Sequence, residues 1–190
     1  MKRRQRLEAA ALRLFGKVGY TAASMEAIAQ EADMPVGAVY QHYRSKRQLL
    51  LSLMSDLLTG LSTLRLEPEP GQDARGLLHQ LLQRAFERDL HYLGAYRAWR
   101  EAVLTDEDLA AKQARIHAWT SARVAAVFRR LQQLPGARED VDVDALARVL
   151  DSTFWDLLAQ ASRRRDRNLQ RAVAASVHLI YHALFMDRPS

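Results

Sequence analysis

Apolar residues recur at three- and four-residue spacing along almost the whole chain, and no stretch sustains the every-second-residue alternation of a strand. A chain patterned this way buries its apolar stripes only by packing helix on helix, so the expected fold class is all-α. The first helix is expected from about Arg3 to Val18, with Leu7, Ala10, Ala11, Leu14, Phe15 and Val18 on one face and Gly19 ending it. Ser24 caps a short helix that turns Ile28 and Ala29 inward. A break at Asp33-Met34-Pro35 precedes a third short helix through Tyr40, and the capping box Ser45-Lys46-Arg47-Gln48 opens a longer one to about Leu64. Glu67-Pro68-Glu69-Pro70-Gly71 reads as a loop. Beyond it, helices are expected near 73–91, 92–104, 106–134, 143–164 and 167–186. The prolines fall between these runs, although Gly16, Gly60, Gly76 and Gly94 sit inside them.

Composition narrows the function. With 190 residues and 48% hydrophobic content, the chain holds one large domain or two small ones and is not disordered. Lys+Arg number 28 against Asp+Glu 22, a balance that suits a polyanionic partner without requiring one. The absence of cysteine excludes disulfides, thiolate metal sites and a thiol nucleophile. The basic start is amphipathic: Glu8, Arg13 and Lys17 interrupt it, unlike a secretory leader. No segment reaches the roughly 20 apolar residues that span a bilayer. The expectation is a soluble, cytoplasmic protein with no membrane partner.

The stretch Gly19–Leu50, GYTAASMEAIAQEADMPVGAVYQHYRSKRQLL, carries the most information. Two short helices joined by a tight turn form a helix-turn-helix, whose second helix can enter a DNA major groove. Gly37 and Ala38 let that helix approach closely. Tyr40 and His42 offer uncharged donors to phosphate oxygens, Lys46 adds charge to the free N–H groups of a helix start, and Ser24 stands at another.

These residues resemble the DNA-binding domain of the TetR family. The matching elements are Leu14-Phe15, Gly19-Tyr20, Ile28-Ala29, Gly37-Ala38-Val39-Tyr40-Gln41-His42-Tyr43 and Ser45-Lys46-Arg47-Gln48-Leu49. The resemblance implies phosphate contacts from Ser24, Tyr40, His42 and Lys46. It implies a groove-facing set of Val36, Gly37, Ala38 and Gln41, with Met34, Val39 and Tyr43 in the three-helix core. Three positions depart from the family pattern. Asp33 replaces the usual turn glycine, and it tolerates left-handed geometry better than most residues. Pro35 replaces the hydroxyl cap of the recognition helix and suits a first helical position. Val36 replaces a polar residue and can touch a thymine methyl but not hydrogen-bond a base. Specificity would then lean on Gln41, methyl contacts and DNA shape. Lys2-Arg3-Arg4 with Arg6 reads either as a phosphate-contacting arm or as a solvated start.

The remaining sequence shows no catalytic or metal signature. His178 and His182 stand i,i+4 but read as a packing pair, and Arg163-Arg164-Arg165 as a solvated helix end. Tyr92, Ala95, Tyr96, Trp99 and Val103 form an aromatic stripe, and His117, Ser121 and Phe128 lie on the face of the next long helix. Two readings stay open: ordinary core, or a ligand cavity lined by Tyr92, Tyr96, Trp99, His117, Ser121 and Phe128, as the resemblance implies. The last two helices carry stripes that include Phe154, Leu158, Val173, Val177, Ile180 and Leu184. These pack within the domain or, as the resemblance implies, dimerise as a four-helix bundle.

The expected organisation is a three-helix DNA-binding domain over 1–48 and a larger helical ligand-binding and dimerisation domain over 49–190. The function implied is a homodimeric transcription repressor on a palindromic double-stranded operator, released by a small-molecule effector, with no cofactor and no enzyme activity. The alternatives are a helical-bundle enzyme or carrier for an apolar molecule, and a ligand-independent DNA-binding protein.

Overall fold

The structure, a computed structural model, describes residues 3–63, 73–161 and 169–185. The Glu67–Gly71 loop, the Arg163–Arg165 run and Lys2 lie outside those residues, as does the side chain of Val173. The described elements are helices: α1 (Arg3–Ala22), α2 (Met25–Glu31), α3 (Val36–His42), α4 (Lys46–Thr63), α5 (Ala74–His91), α6 (Leu93–Ala102), α7 (Glu107–Leu131), α8 (Val143–Ala161) and α9 (Leu169–Leu184). None is long and apolar enough to cross a membrane. The fold is all-α, and it divides into two compact units. One comprises Met1–Thr63, Arg88–Ala110 and Leu158–Arg165; the other comprises Leu64–Glu87, Ala111–Leu157 and Asp166–Ser190.

The first unit is built around α1, which packs against α2, α4 and α6. Leu7, Ala10, Ala11 and Phe15 are buried as their spacing predicts, and Ile28, Ala29, Val39, Leu49, Leu50 and Leu53 close the core around them. Val18, expected inward, is exposed, while Leu12 on another face is buried. The reason is α6, which covers a second side of α1. Gly94 of α6 lies against Gly16, and a Cβ on Gly94 would fall almost on the Leu12 carbonyl oxygen. Only a residue without a side chain lets the two backbones come this close.

Gly19 breaks α1 at φ 86°, and one more turn follows before the helix ends at Ala22. The space a side chain would take at Gly19 is filled by the Glu101 carboxylate of α6. That carboxylate accepts hydrogen bonds from the Tyr20 N–H (2.6 Å) and the Thr21 N–H (3.3 Å). One turn earlier on α6, the Arg97 guanidinium donates to the carbonyls of Gly16 (2.8 Å) and Lys17 (3.2 Å) and pairs with Glu101. The backbone groups freed by the break in α1 are thus satisfied by side chains about eighty residues away in sequence. Replacing Glu101 with Ala leaves two N–H groups short of an acceptor. It is expected to lower stability by about 1–3 kcal/mol, and a thermal melt superimposable on the native one would show that the clasp contributes nothing.

The second unit has its own core. Leu77 and Leu78 from α5, Ala125, Phe128 and Leu131 from α7, Val143 and Ala147 from α8, and Val177, Ile180 and Leu184 from α9 are buried together. After α7 the chain runs through Gly136, at φ 82°, to Ala137, which forms an isolated bridge with Phe185.

Candidate nucleic-acid interface

The helix-turn-helix is closed at each joint by an identifiable group. The Ser24 Oγ accepts the Ala27 N–H at 3.1 Å and so caps α2, as its position predicts. The turn after α2 places Asp33 at φ 51°, the left-handed conformation that the family usually gives to glycine. The Arg6 guanidinium donates to the carbonyls of Ala32 and Asp33, closing the end of α2. Pro35 stands at the N-cap of α3, one place before the first helical position, with no side-chain cap. Its carbonyl accepts the Ala38 and Val39 N–H groups.

The α3 helix is seven residues long and two-faced. Val39 is fully buried, and Tyr43 just beyond the helix is buried with it, its hydroxyl donating to Glu8 at 2.6 Å. Met34 is half-buried. Val36, Gly37, Tyr40 and Gln41 are exposed on the other face, with Ala38 at its edge and His42 exposed at the helix end. A Cβ built on Gly37 meets nothing within 4 Å. Nothing among the described residues requires glycine there, in contrast to Gly94. The Tyr40 hydroxyl donates to Glu26 at 3.4 Å, and partial desolvation together with that carboxylate pushes the phenol pKa up.

The start of α4 behaves differently from its sequence pattern. Ser45 Oγ accepts the Gln48 N–H, while the Gln48 side chain reaches back to the Arg44 N–H at 2.7 Å, one residue before the usual capping-box partner. The Lys46 ammonium, expected to face phosphate, donates instead to the carbonyls of Tyr20 (2.8 Å), Thr21 (3.2 Å) and Ala23 (2.9 Å) and lies over the Tyr20 ring. Arg47 pairs with Asp106, which also caps α7 through the Leu109 N–H; these contacts hold the Asp106 carboxyl below its ordinary range. Arg4 is engaged with Glu8 and Ser52. By contrast, the guanidinium of Arg44, in the turn between α3 and α4, is exposed and has no partner among the described residues. Gln41 and His42 are equally uncommitted. Sequence reasoning passes over Arg44; its signal is a lone basic residue between the recognition helix and the Ser45 cap.

The residues expected around a ligand fall into both units. Tyr92 stands at the start of α6, and Tyr96 and Trp99 are buried in the first unit. In the second unit Phe128 belongs to the apolar core. Of the six, only His117 and Ser121 line one described groove, between α7 and α8. The His117 ring N–H at Nδ1 donates to Asp151 at 2.8 Å, but its Nε2 faces Gln113, one turn back, at 3.4 Å. Ser121, one turn ahead, makes no bond to it. A Ser-His-Asp relay needs the far nitrogen on the hydroxyl, so this trio is not one.

The stripes expected at a dimer interface are turned inward. Val177, Ile180 and Leu184 belong to the core of the second unit, and Phe154 packs against it. Leu158 is likewise buried within the single chain. Among the described residues, the large apolar side chains left exposed on α8 and α9 are Val149 (63%) and Leu179 (65%). The His178 and His182 rings lie 4.1 Å apart, and no group of three or more metal-ligating side chains occurs among the described residues.

Comparison with known proteins matches this geometry. Residues 7–53 match the family model described as bacterial regulatory proteins, tetR family. The HTH-type transcriptional repressor KstR of Rhodococcus jostii strain RHA1 is 34% identical over 91 residues, covering 46% of this chain and 42% of that protein. The match thus spans less than half the length of that relative. A tetR-family regulatory protein from Rhodococcus RHA1 superposes with a TM-score of 0.72 at 22% identity, covering 99% of this chain and 100% of the other. The structure of SmeT in complex with triclosan superposes with a TM-score of 0.73 at 22% identity, over 97% and 92% of the two chains. These likenesses establish the shared fold. The helix-turn-helix of this chain, over residues 7–53, is that of the tetR family of bacterial regulatory proteins.

Proposed function

We propose that the chain is a cytoplasmic transcription repressor that binds a palindromic operator as a homodimer and is released by a small molecule. The observation that carries the DNA reading is the outer face of α3. Gly37 opens onto empty space, and Gln41, His42 and the neighbouring Arg44 keep uncommitted donors beside a helix-turn-helix whose Arg4, Arg6, Lys46 and Arg47 are all engaged within the chain. In this reading Val36, Gly37, Ala38 and Gln41 face the major groove, and Ser24, Tyr40, His42 and Arg44 hold phosphates. Lys46 positions the end of α1. The relative KstR is a repressor and the SmeT neighbour holds triclosan, which supports repression and a ligand.

The test is operator binding against salt. Replacing Arg44 with Ala removes one phosphate contact per protomer. For a dimer, the slope of log affinity against log salt is expected to become shallower by about 2. An unchanged slope would remove Arg44 from the contact set.

Dimerisation in this reading uses the faces of α8 and α9 that carry Val149 and Leu179, because the inward stripes are already buried. Leu179→Asp is expected to convert the dimer to monomer by sedimentation while leaving the helical content intact. A dimer that persists would move the interface elsewhere.

A further inference from the structure

The groove between α7 and α8 contains a charge that the second unit's packing does not explain. Asp151 lies on α8 between the buried residues Ala147 and Leu158 and is itself only 6% exposed. An ionised carboxylate at such a depth is costly unless its oxygens are satisfied. One oxygen accepts the His117 ring N–H at 2.8 Å; the other has no partner among the described residues, and the side chain lines the groove. Three potential donors line the same groove: the Arg148 guanidinium one turn earlier on α8, the Ser152 hydroxyl, and the Ser121 hydroxyl from α7. None of these side chains has a partner among the described residues. The groove encloses ≈ 430 Å³, within the range of small-molecule sites.

The Asp144 carboxylate also lines the groove, but it is paired with Arg129 at 2.8 Å; the groups left over, a fixed buried acceptor beside a free guanidinium and two hydroxyls, complement one kind of molecule. That molecule carries a carboxylate for the guanidinium and hydroxyls and, on the adjoining carbon, a donor for Asp151. We infer that this groove binds a small 2-amino or 2-hydroxy carboxylate, and that this is the effector of the repressor proposed above, on which the inference rests. His117 is a positioning residue: its N–H fixes the Asp151 carboxylate, while its ring lies against Trp155 at 5.0 Å.

The experiment is calorimetric titration of the full chain with four molecules of one carbon skeleton: leucine, 2-hydroxy-4-methylpentanoate, 4-methylpentanoate and 3-methylbutylamine. Saturable binding is expected for leucine or its hydroxy analogue, at least tenfold tighter than for the acid lacking the donor or the amine lacking the carboxylate. Which of the first two binds tighter distinguishes an ammonium from a hydroxyl at Asp151. Arg148→Gln, at an exposed position, is expected to weaken that binding at least tenfold with an unchanged thermal melt. No saturable heat from any of the four overturns the inference, as does binding indifferent to Arg148→Gln. Operator binding is measured on the same preparation. A chain that binds operator but none of the four defeats only the inference, whereas a chain that fails to bind operator defeats the repressor reading itself.

Discussion

Gly94→Ala is expected to destabilise the protein, against the ordinary preference of a helix. In an open helix the change gains about 1 kcal/mol, because glycine is the more flexible residue in the unfolded chain. At this position the added carbon would fall almost on the Leu12 carbonyl oxygen and 2.8 Å from its carbon. Both are backbone atoms of α1 and cannot rotate away. The helices must separate, and the Arg97 and Glu101 hydrogen bonds farther along α6 lengthen with them. Overpacking of this kind costs about 1–3 kcal/mol, enough to reverse the propensity gain. For a chain of this size each kcal/mol lowers Tm by about 2–4 °C. A Tm equal to or above that of the native protein would show that α6 does not depend on this close approach.

The second large effect comes from the same substitution at another glycine, with the opposite outcome for folding. Gly37→Ala places its carbon in open space. Stability is expected to hold or to rise by up to about 1 kcal/mol. Operator affinity is expected to fall at least tenfold, about 1.4 kcal/mol, because the methyl group stands between α3 and the groove it enters. The two readouts, melt and binding, separate a glycine kept for packing from one kept for contact. Full operator affinity in the Gly37→Ala variant would mean that α3 does not meet DNA on this face.

The contrast also marks what a sequence can and cannot say. Local chemistry is legible in the Ser24 cap, whereas the left-handed Asp33 and the buried Val39 and Tyr43 are legible only through the family resemblance. Periodicity says that a residue is buried, and it does not say against what. Spacing puts Leu7, Ala10, Ala11 and Phe15 on one inward face, but the second buried side of α1, with Leu12, depends on α6, far along the chain. The stripe of Val177, Ile180 and Leu184 is likewise identifiable as a stripe. That it faces its own core, leaving Leu179 outside, comes only from the three-dimensional packing. Lys46 shows the same limit for a charge. Its place at a helix start suggests phosphate, yet three carbonyls at the end of α1 hold it. Pro35 suits a first helical position by its chemistry, but its ψ of 140° keeps it one residue earlier, at the cap.

The central claim is that this helix-turn-helix binds a palindromic operator through the outer face of α3. Selection from a random duplex library, followed by fluorescence anisotropy of the enriched duplex across a range of salt, tests it most directly. An inverted repeat is expected, its half-sites centred about 34–36 Å apart, with affinity falling steeply as salt rises. Recovery of no repeated sequence, with binding that is flat against salt, would contradict it.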